Sequence, residues 1–301
     1  MIKVRNLTKR YGDKVAVDDL SFSVKPGRVT GFLGPNGSGK STTMRMILGL
    51  DAPTSGIATI NGKCYSHHTA PLHRVGSLLD AHSTHPSRSA FDHLMALAHT
   101  HGIPRTRVDW VLKMTGIDKV ARMKAGAFSL GMTQRLGVAA ALIGDPSVLI
   151  FDEPVNGLDP EGVQWIRSVM KKMARRGRTV FVSSHLMSEM ALTADHLIVI
   201  GQGKLLADMS MAEFREQAGS WVRVVSPEAN VLRGLLDRDE ARFTVHSPDT
   251  FDVSGVEAGR IGHLAASCGI PLLELTPQSE SLEDAFMRLT GESVEYRGVG
   301  R

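Results

Sequence analysis

Apolar and polar positions alternate with period two over Met1 to Leu7 (Ile2, Val4) and again over Ser21 to Val24, which predicts two half-buried strands, the second closed by the turn Pro26-Gly27. Val29 to Leu33 is an apolar strand, and Thr42 to Leu50 is a helix-forming run. The turn Pro53 to Gly56, the strand Ile57 to Ile60, the turn Asn61-Gly62 and the strand Val75 to Leu79 come next. The period then lengthens. Phe91, Leu94, Met95 and Ala98 share one face of a helix over Ser89 to His101, and Val108, Val111 and Leu112 mark a second. A third helix starts at Thr133-Gln134-Arg135 and has the apolar body Leu136 to Ile143. Val148 to Phe151 and Thr179 to Ser183 are continuously apolar, as strands buried on both faces of a parallel sheet are. Between them a tight loop, Asn156 to Pro160, opens a helix over Gly162 to Arg176. Ile198 to Ile200, the turn Gly201 to Lys204 and Leu205 to Ala207 read as a hairpin.

After about residue 219 the pattern changes. Trp221 to Val225 and Phe243 to His246 alternate as strands, Ala258 to Ser267 is helix-like, and Leu272 to Leu275 is a further strand. A last helix opens at Ser281, which with Asp284 has the look of a capping box, and presents Leu282, Phe286 and Leu289 on one face. The expectation is two domains, 1–219 and 220–301. The first is α/β with a helical segment inserted at about 85–145, and the second is a small α+β domain.

The 301 residues, 42% hydrophobic and 22% charged, suit a globular chain with real cores. No apolar run approaches the roughly 20 residues of a spanning helix, and Met1 to Lys9 has no signal-peptide core, which predicts a cytoplasmic protein. Cys64 and Cys268 stand in no metal or redox spacing. A net charge of +4 suits an anionic membrane surface nearby, and without a Lys/Arg stripe interleaved with aromatics no nucleic-acid partner is expected. Eight of the twelve histidines fall between His67 and His101 (His67, His68, His73, His82, His85, His93, His99, His101). The spacings are irregular, and His82/His85 and His99/His101 are close pairs without accompanying Cys or acidic ligands, so solvated surface histidines are expected and not a metal site.

The chemistry gathers at strand ends. Gly34-Pro35-Asn36-Gly37-Ser38-Gly39-Lys40-Ser41 lies between an apolar strand and a helix beginning near Thr42, the context of a phosphate-binding P-loop. Its glycines let successive N–H groups point inward at a helix N-terminus, Lys40 reaches β- and γ-phosphates, and the Ser41 hydroxyl is placed for Mg²⁺. Asp152 and Glu153 end a buried strand, where open α/β sheets bind ligands, and fit a Mg²⁺ carboxylate and a base for water. His185 ends the next strand and has a hydrogen bond to offer a γ-phosphate. Ser129 stands at a helix entrance, as an N-cap or as a phosphate ligand. Tyr11 is either a surface turn residue or a platform for a purine ring.

Together these residues resemble the nucleotide-binding subunit of an ATP-binding cassette (ABC) transporter over the first 220 or so positions. Tyr11 resembles the aromatic A-loop, Gly34 to Ser41 the Walker A, Asp80 the Q-loop position, Phe128 to Met132 the signature, Val148 to Asp152 the Walker B, Asn156 to Asp159 the D-loop and His185 the switch histidine. The signature has Leu130 where a glycine is usual, and Asp80 replaces the common Gln. Both variants, and the tail, resemble the drug-export, daunorubicin-resistance branch of the family.

The resemblance implies a P-loop NTPase core with a RecA-like parallel sheet, an N-terminal antiparallel β subdomain, an inserted helical subdomain and a C-terminal accessory domain. It implies ATP and Mg²⁺ as ligands, with Ser41, Asp152 and Asp80 toward the metal. Glu153 would handle the attacking water and His185 the γ-phosphate. It further implies a head-to-tail homodimer in which Ser129 and Gly131 contact the γ-phosphate of the partner's ATP, with Asp159 of the D-loop among the nucleotide-binding residues. A separate membrane permease would be driven through the segment Asp80 to His101, from the inner face of the cell membrane. The rival readings are an ATPase that remodels ribosomes or nucleic acid, and a non-catalytic, nucleotide-gated subunit.

Overall fold

A computed structural model of the chain describes residues 1–80, 84–237 and 241–291. They form two compact units, Met1–Met211 together with the described residues from Leu289 onward, and Ala212–Arg288.

In the first unit β1 (Ile2–Tyr11) and β2 (Lys14–Val24) form a long hairpin. The pattern had shown only the two ends of this hairpin. Register shifts around Asn6, whose φ is +47°, throw the alternation out of phase while pairing continues to Tyr11 opposite Lys14. β3 (Val29–Leu33) leads through the glycine loop into α1 (Lys40–Ile47), two residues ahead of the expected helix start. β4 (Ser55–Ile60) then pairs with the free side of β1 and completes a three-stranded antiparallel sheet.

β5 (Val75–Leu78) is followed by three helices, α2 (Ala90–Thr100), α3 (Arg105–Thr115) and α4 (Leu130–Leu142). α4 starts at Leu130 and not at Thr133, because the Ser129 hydroxyl accepts from Met132 N–H and caps the helix there. β6 (Val148–Phe151), α5 (Pro160–Arg175), β7 (Thr179–Ser184), α6 (Met187–Thr193), β8 (His196–Gly201) and β9 (Lys204–Ser210) complete the unit. Its main sheet runs β5-β6-β7-β3-β8-β9, parallel except for β9. Every residue of β6, β7 and β8 is buried, as continuous apolarity requires. Phe22 of β2, Phe32 of β3 and Phe181 of β7 meet with ring centroids 5.1–5.7 Å apart in one core that also holds Ile2, Leu20, Met44 and Ile47.

In the second unit α7 (Met211–Gln217) precedes β10 (Ser220–Val225), α8 (Ala229–Leu236), β11 (Arg242–Ser247), β12 (Thr250–Ser254), α9 (Ala258–Ser267) and β13 (Glu274–Ser279), and α10 (Leu282–Thr290) follows. The order β11-β12-β10-β13, antiparallel throughout, is the ferredoxin-like split β-α-β arrangement. Leu232, Leu236, Ile261 and Ala265 of its two helices pack on Val222, Val224, Phe251 and Val253. The strand expected at Leu272 to Leu275 lies instead at Glu274–Ser279 and carries Pro277. β13 pairs on one side only, so the missing N–H costs no ladder bond on the open edge. Ser281 does cap α10, accepting from Asp284 N–H at 3.0 Å.

Candidate nucleotide site

The sheet order lines up the candidate chemistry. β5, β6, β7 and β3 are successive neighbours, and from their carboxyl ends emerge Asp80, Asp152 with Glu153, His185, and the loop Gly34 to Ser41. Leu78 lies opposite Phe151, Phe151 opposite Val182, and Leu33 opposite Ser184. Residues scattered over 150 positions of sequence thus reach one rim, where open α/β sheets hold ligands.

Above the rim is a cleft of about 320 Å³ lined by Tyr11, Lys14, Ala16, the loop residues Asn36 to Thr42, and Glu153. That volume is in the range of small-ligand sites. Gly39 has φ +100°, and a Cβ there would lie 2.5 Å from the Ala16 carbonyl oxygen, so the loop closes on β2 only with glycine at this position. Behind the loop Gly203, in the β8–β9 turn, donates to Ser38 O at 3.1 Å and accepts from Asp18 N at 2.9 Å. No side chain caps the N-terminus of α1.

The Ser38 hydroxyl is buried without a partner, and Lys40 Nζ, 6% exposed, folds back on Gly34 O (2.7 Å) and Pro35 O (3.1 Å). Burial pushes the Lys40 ammonium below its ordinary pKa, while the Glu153 and Asp152 carboxylates pull the other way. An unsatisfied buried donor, an under-neutralised ammonium and an uncapped helix start are what a polyphosphate would satisfy.

Glu153 occupies the left-handed region at φ +47°, where a non-glycine residue is strained. Ser183 holds it there. The Ser183 Oγ accepts from Glu153 N–H at 2.9 Å and donates to Asp152 Oδ1 at 2.5 Å. The turn carries the Glu153 carboxylate back over the loop, with Oε1 3.7 Å from Lys40 Nζ and Oε2 3.0 Å from His185 Nδ1. Because a carboxylate only accepts, the proton of that last bond sits on Nδ1.

Other predicted residues lie elsewhere. Ser129 and Gly131 do not line the cleft; they open α4 beside the loop after Glu153, where Leu130 fills the space a Cβ on Gly157 would need. The Asp159 carboxylate caps α5, accepting from Gly162 N–H at 2.8 Å. Tyr11 lines the cleft as the last residue of β1 and is half exposed. Asp80 is exposed at the end of β5. Among the histidines, His82 lies outside the described residues, and His73 places its ring nitrogens 3.0 Å from Gly144 O and 3.3 Å from His101 O. His93 departs from the surface reading. It is half-buried in α2, and burial lowers its pKa. A larger cavity of about 580 Å³ opens in the second unit between Trp221, Glu257 and Gln278, and its lining includes neither a glycine-rich loop nor a lysine.

Comparison with known proteins bears on this arrangement. The profile of the ABC transporter family matches residues 17–156, and that of a domain family of unknown function, DUF8746, matches 220–283. Over 298 residues the chain is 36% identical to the bacitracin transport ATP-binding protein BcrA of Bacillus licheniformis, and the match spans 97% of both proteins. The chain belongs to the ATP-binding proteins of ABC transporters. Binding and hydrolysing ATP is the activity of that family. The lantibiotic transport ATP-binding protein SrtF of Streptococcus pyogenes is 35% identical over 208 residues, 69% of this ABC protein and 90% of SrtF. Among solved structures, the dimeric ABC transporter cassette MJ0796 superposes with a TM-score of 0.64 at 26% identity, covering 70% of this chain and 99% of MJ0796. CbiO1 from Clostridium perfringens, part of the ABC transporter complex cbiONQ, gives 0.63 at 28% identity and covers 88% and 98%. The parallel sheet, the glycine loop and the flanking antiparallel sheet are those of the ABC ATPase cassette.

Two residues of this cassette's site were missed in the sequence. Ser183 was read only as part of a buried strand, yet a hydroxyl at full burial demands partners, and the polar pair Ser183-Ser184 ending an apolar run was the available signal. Lys14 reaches the cleft because it pairs with Tyr11 across the hairpin, a register that the short strands read from the pattern did not reveal.

Proposed function

We propose that this protein is the ATPase subunit of an exporter of antibiotic peptides or similar amphipathic molecules, working as a dimer under a separate membrane permease. The supporting observation is the likeness to a bacitracin transport ATP-binding protein through both units, 97% of each chain, where the lantibiotic match stops at 69% of this one. No helix among the described residues is long and apolar enough to cross a membrane, so a pore in this reading comes from a partner, and the subunit sits on that partner at the inner face of the membrane.

In this reading the N–H groups of Asn36 to Thr42 and the Lys40 ammonium bind the β- and γ-phosphates, and Tyr11 takes the purine ring. Ser41 and Asp152, with Asp80 from the adjacent strand, would hold Mg²⁺, which when bound neutralises charge on the transferred phosphoryl group. Glu153 accepts a proton from the attacking water, and His185 Nδ1–H keeps the carboxylate aimed. Ser129, Gly131 and Asp159, set apart from the cleft, serve the nucleotide of a second copy, as fits a family with a dimeric cassette of known structure.

The test is Glu153→Gln. It should bind ATP normally and release phosphate at least about a hundredfold more slowly. Captured from native membranes with Mg-ATP, it should bring down a polytopic membrane protein. Ribosomal or nucleic-acid-bound material in its place would overturn the transporter reading in favour of remodelling.

A further inference from the structure

Tyr11, at the mouth of the cleft, is tied to the far end of the P-loop helix. Its hydroxyl donates to Asp51 Oδ2 at 3.2 Å. Asp51, just beyond α1, is gripped by Arg45 of that helix, Nε to Oδ2 at 2.7 Å and Nη2 to Oδ1 at 3.3 Å. Over the ring, the Lys9 ammonium sits 4.8 Å from the centroid and donates to Ala52 O at 2.7 Å. Thr54 N–H donates to Thr8 O at 2.8 Å, and Arg10 N–H to Thr54 Oγ1 at 3.0 Å, so the segment after α1 is stitched along the end of β1.

An exposed Arg–Asp pair adds little stability, so stability does not account for this chain of contacts. Its geometric effect is definite. A half-exposed tyrosine at a hairpin end would otherwise sample several rotamers, and binding a flat ligand would have to freeze one. Here the ring is pinned at its hydroxyl, with the Lys9 ammonium 4.8 Å from its centroid, at the position where it lines the cleft. The Arg45 hydrogen bond holds the Asp51 carboxyl below the usual carboxylate range, and burial followed by the Asp51 charge raises the Tyr11 phenol. Acceptor and donor thus both persist at neutral pH.

We propose that Arg45 and Asp51 are positioning residues for base recognition: they preset Tyr11 as a stacking platform and so set nucleotide affinity without touching the nucleotide. This rests on the reading of Tyr11 as the purine platform. The base subsite and the phosphate loop then form one rigid template, because both are fastened to α1.

The experiment measures, by calorimetry on the full chain, the dissociation constants of ATP and of inorganic tripolyphosphate, which lacks the base. Asp51→Ala and Tyr11→Phe, which keeps the ring, should each weaken ATP binding about three- to tenfold, and the double variant no further, because one bond is lost in all three. Asp51→Ala should bind tripolyphosphate as the parent does, which also shows that it is folded. Tyr11→Ala should weaken ATP by about tenfold or more. If Tyr11→Ala weakens ATP but Asp51→Ala and Tyr11→Phe do not, the positioning role is overturned while the platform reading stands. If Tyr11→Ala changes nothing, the platform reading falls and this inference with it. Equal loss of tripolyphosphate and ATP in Asp51→Ala, or in Asp51→Asn should the alanine variant not fold, would place Asp51 in support of the loop and overturn the proposal.

Discussion

Ser183→Ala tests how the Glu153 carboxylate, proposed to take the water's proton, is held. Ser183 is fully buried, and its one hydroxyl bonds both to Glu153 N–H and to the Asp152 carboxylate. A bond to a charged group is worth about 1.5–3 kcal/mol and a neutral one about 0.5–1.5 kcal/mol, so the substitution should lower stability by about 2–4.5 kcal/mol. The sharper effect is on catalysis. Glu153 stays at φ +47° against strain of about 1–3 kcal/mol, and the Ser183 bond is one of the contacts that oppose relaxation. If a relaxed conformer becomes favoured by about 1–2 kcal/mol, kcat falls about five- to thirtyfold. The P-loop N–H groups and the Lys40 bonds to Gly34 O and Pro35 O do not involve Ser183, so KM for ATP should change less than kcat. Steady-state phosphate release against ATP concentration, at a temperature well below the variant's melting point, reads both constants. A kcat within twofold of the parent would refute the argument that Ser183 holds the catalytic conformation. A rise in KM with kcat unchanged would show that it acts on binding.

Gly39→Ala should abolish ATP binding and cost about 2–3 kcal/mol, because its Cβ would meet the Ala16 carbonyl oxygen at 2.5 Å in a left-handed backbone; calorimetry with tripolyphosphate and a thermal melt check the two effects. In the second unit the Arg223 hydrogen bonds, and then His246, hold the buried Asp252 carboxyl below the usual carboxylate range, against the effect of burial. A depressed carboxyl contributes stability above its unfolded-state pKa and loses it as pH falls through the folded value. Hydrogen-exchange protection of the β10 and β12 amides, taken relative to their intrinsic exchange rates, should therefore fall below about pH 4, and Arg223→Ala should flatten that dependence.

Much of the cassette was legible because its signals are local. The glycine loop needs its neighbours in sequence to curl, and β6 and β7 announce burial by unbroken apolarity. What was not legible depends on partners far away in the chain. β12 was missed because it is only five residues long, and the buried aspartate at its centre is tolerable only because Arg223 of β10 and His246 of β11 close on it. α8 was missed because Asn230 and Gly234 dilute its apolar face. The strand expected at Leu272 to Leu275 lies at Glu274–Ser279, where the unpaired edge accommodates Pro277. At the site the sequence named Lys40, Asp152, Glu153 and His185, yet the strained turn at Glu153 and the hydroxyl behind it are tertiary facts.

The brace behind the glycine loop has a thermodynamic consequence. With Ser38 O bonded to Gly203, and Gly203 bonded in turn to Asp18, the phosphate cradle is shaped when the chain folds and has little left to order when ATP arrives. In the proposed reading, binding buries polar phosphate against the loop, and the apolar area lost to water is chiefly that of the purine against Tyr11. The heat-capacity change of ATP binding should accordingly be small and negative, and should nearly vanish for tripolyphosphate. The difference between the two ligands measures the nucleoside's contribution, of which the Tyr11 contact is the aromatic part.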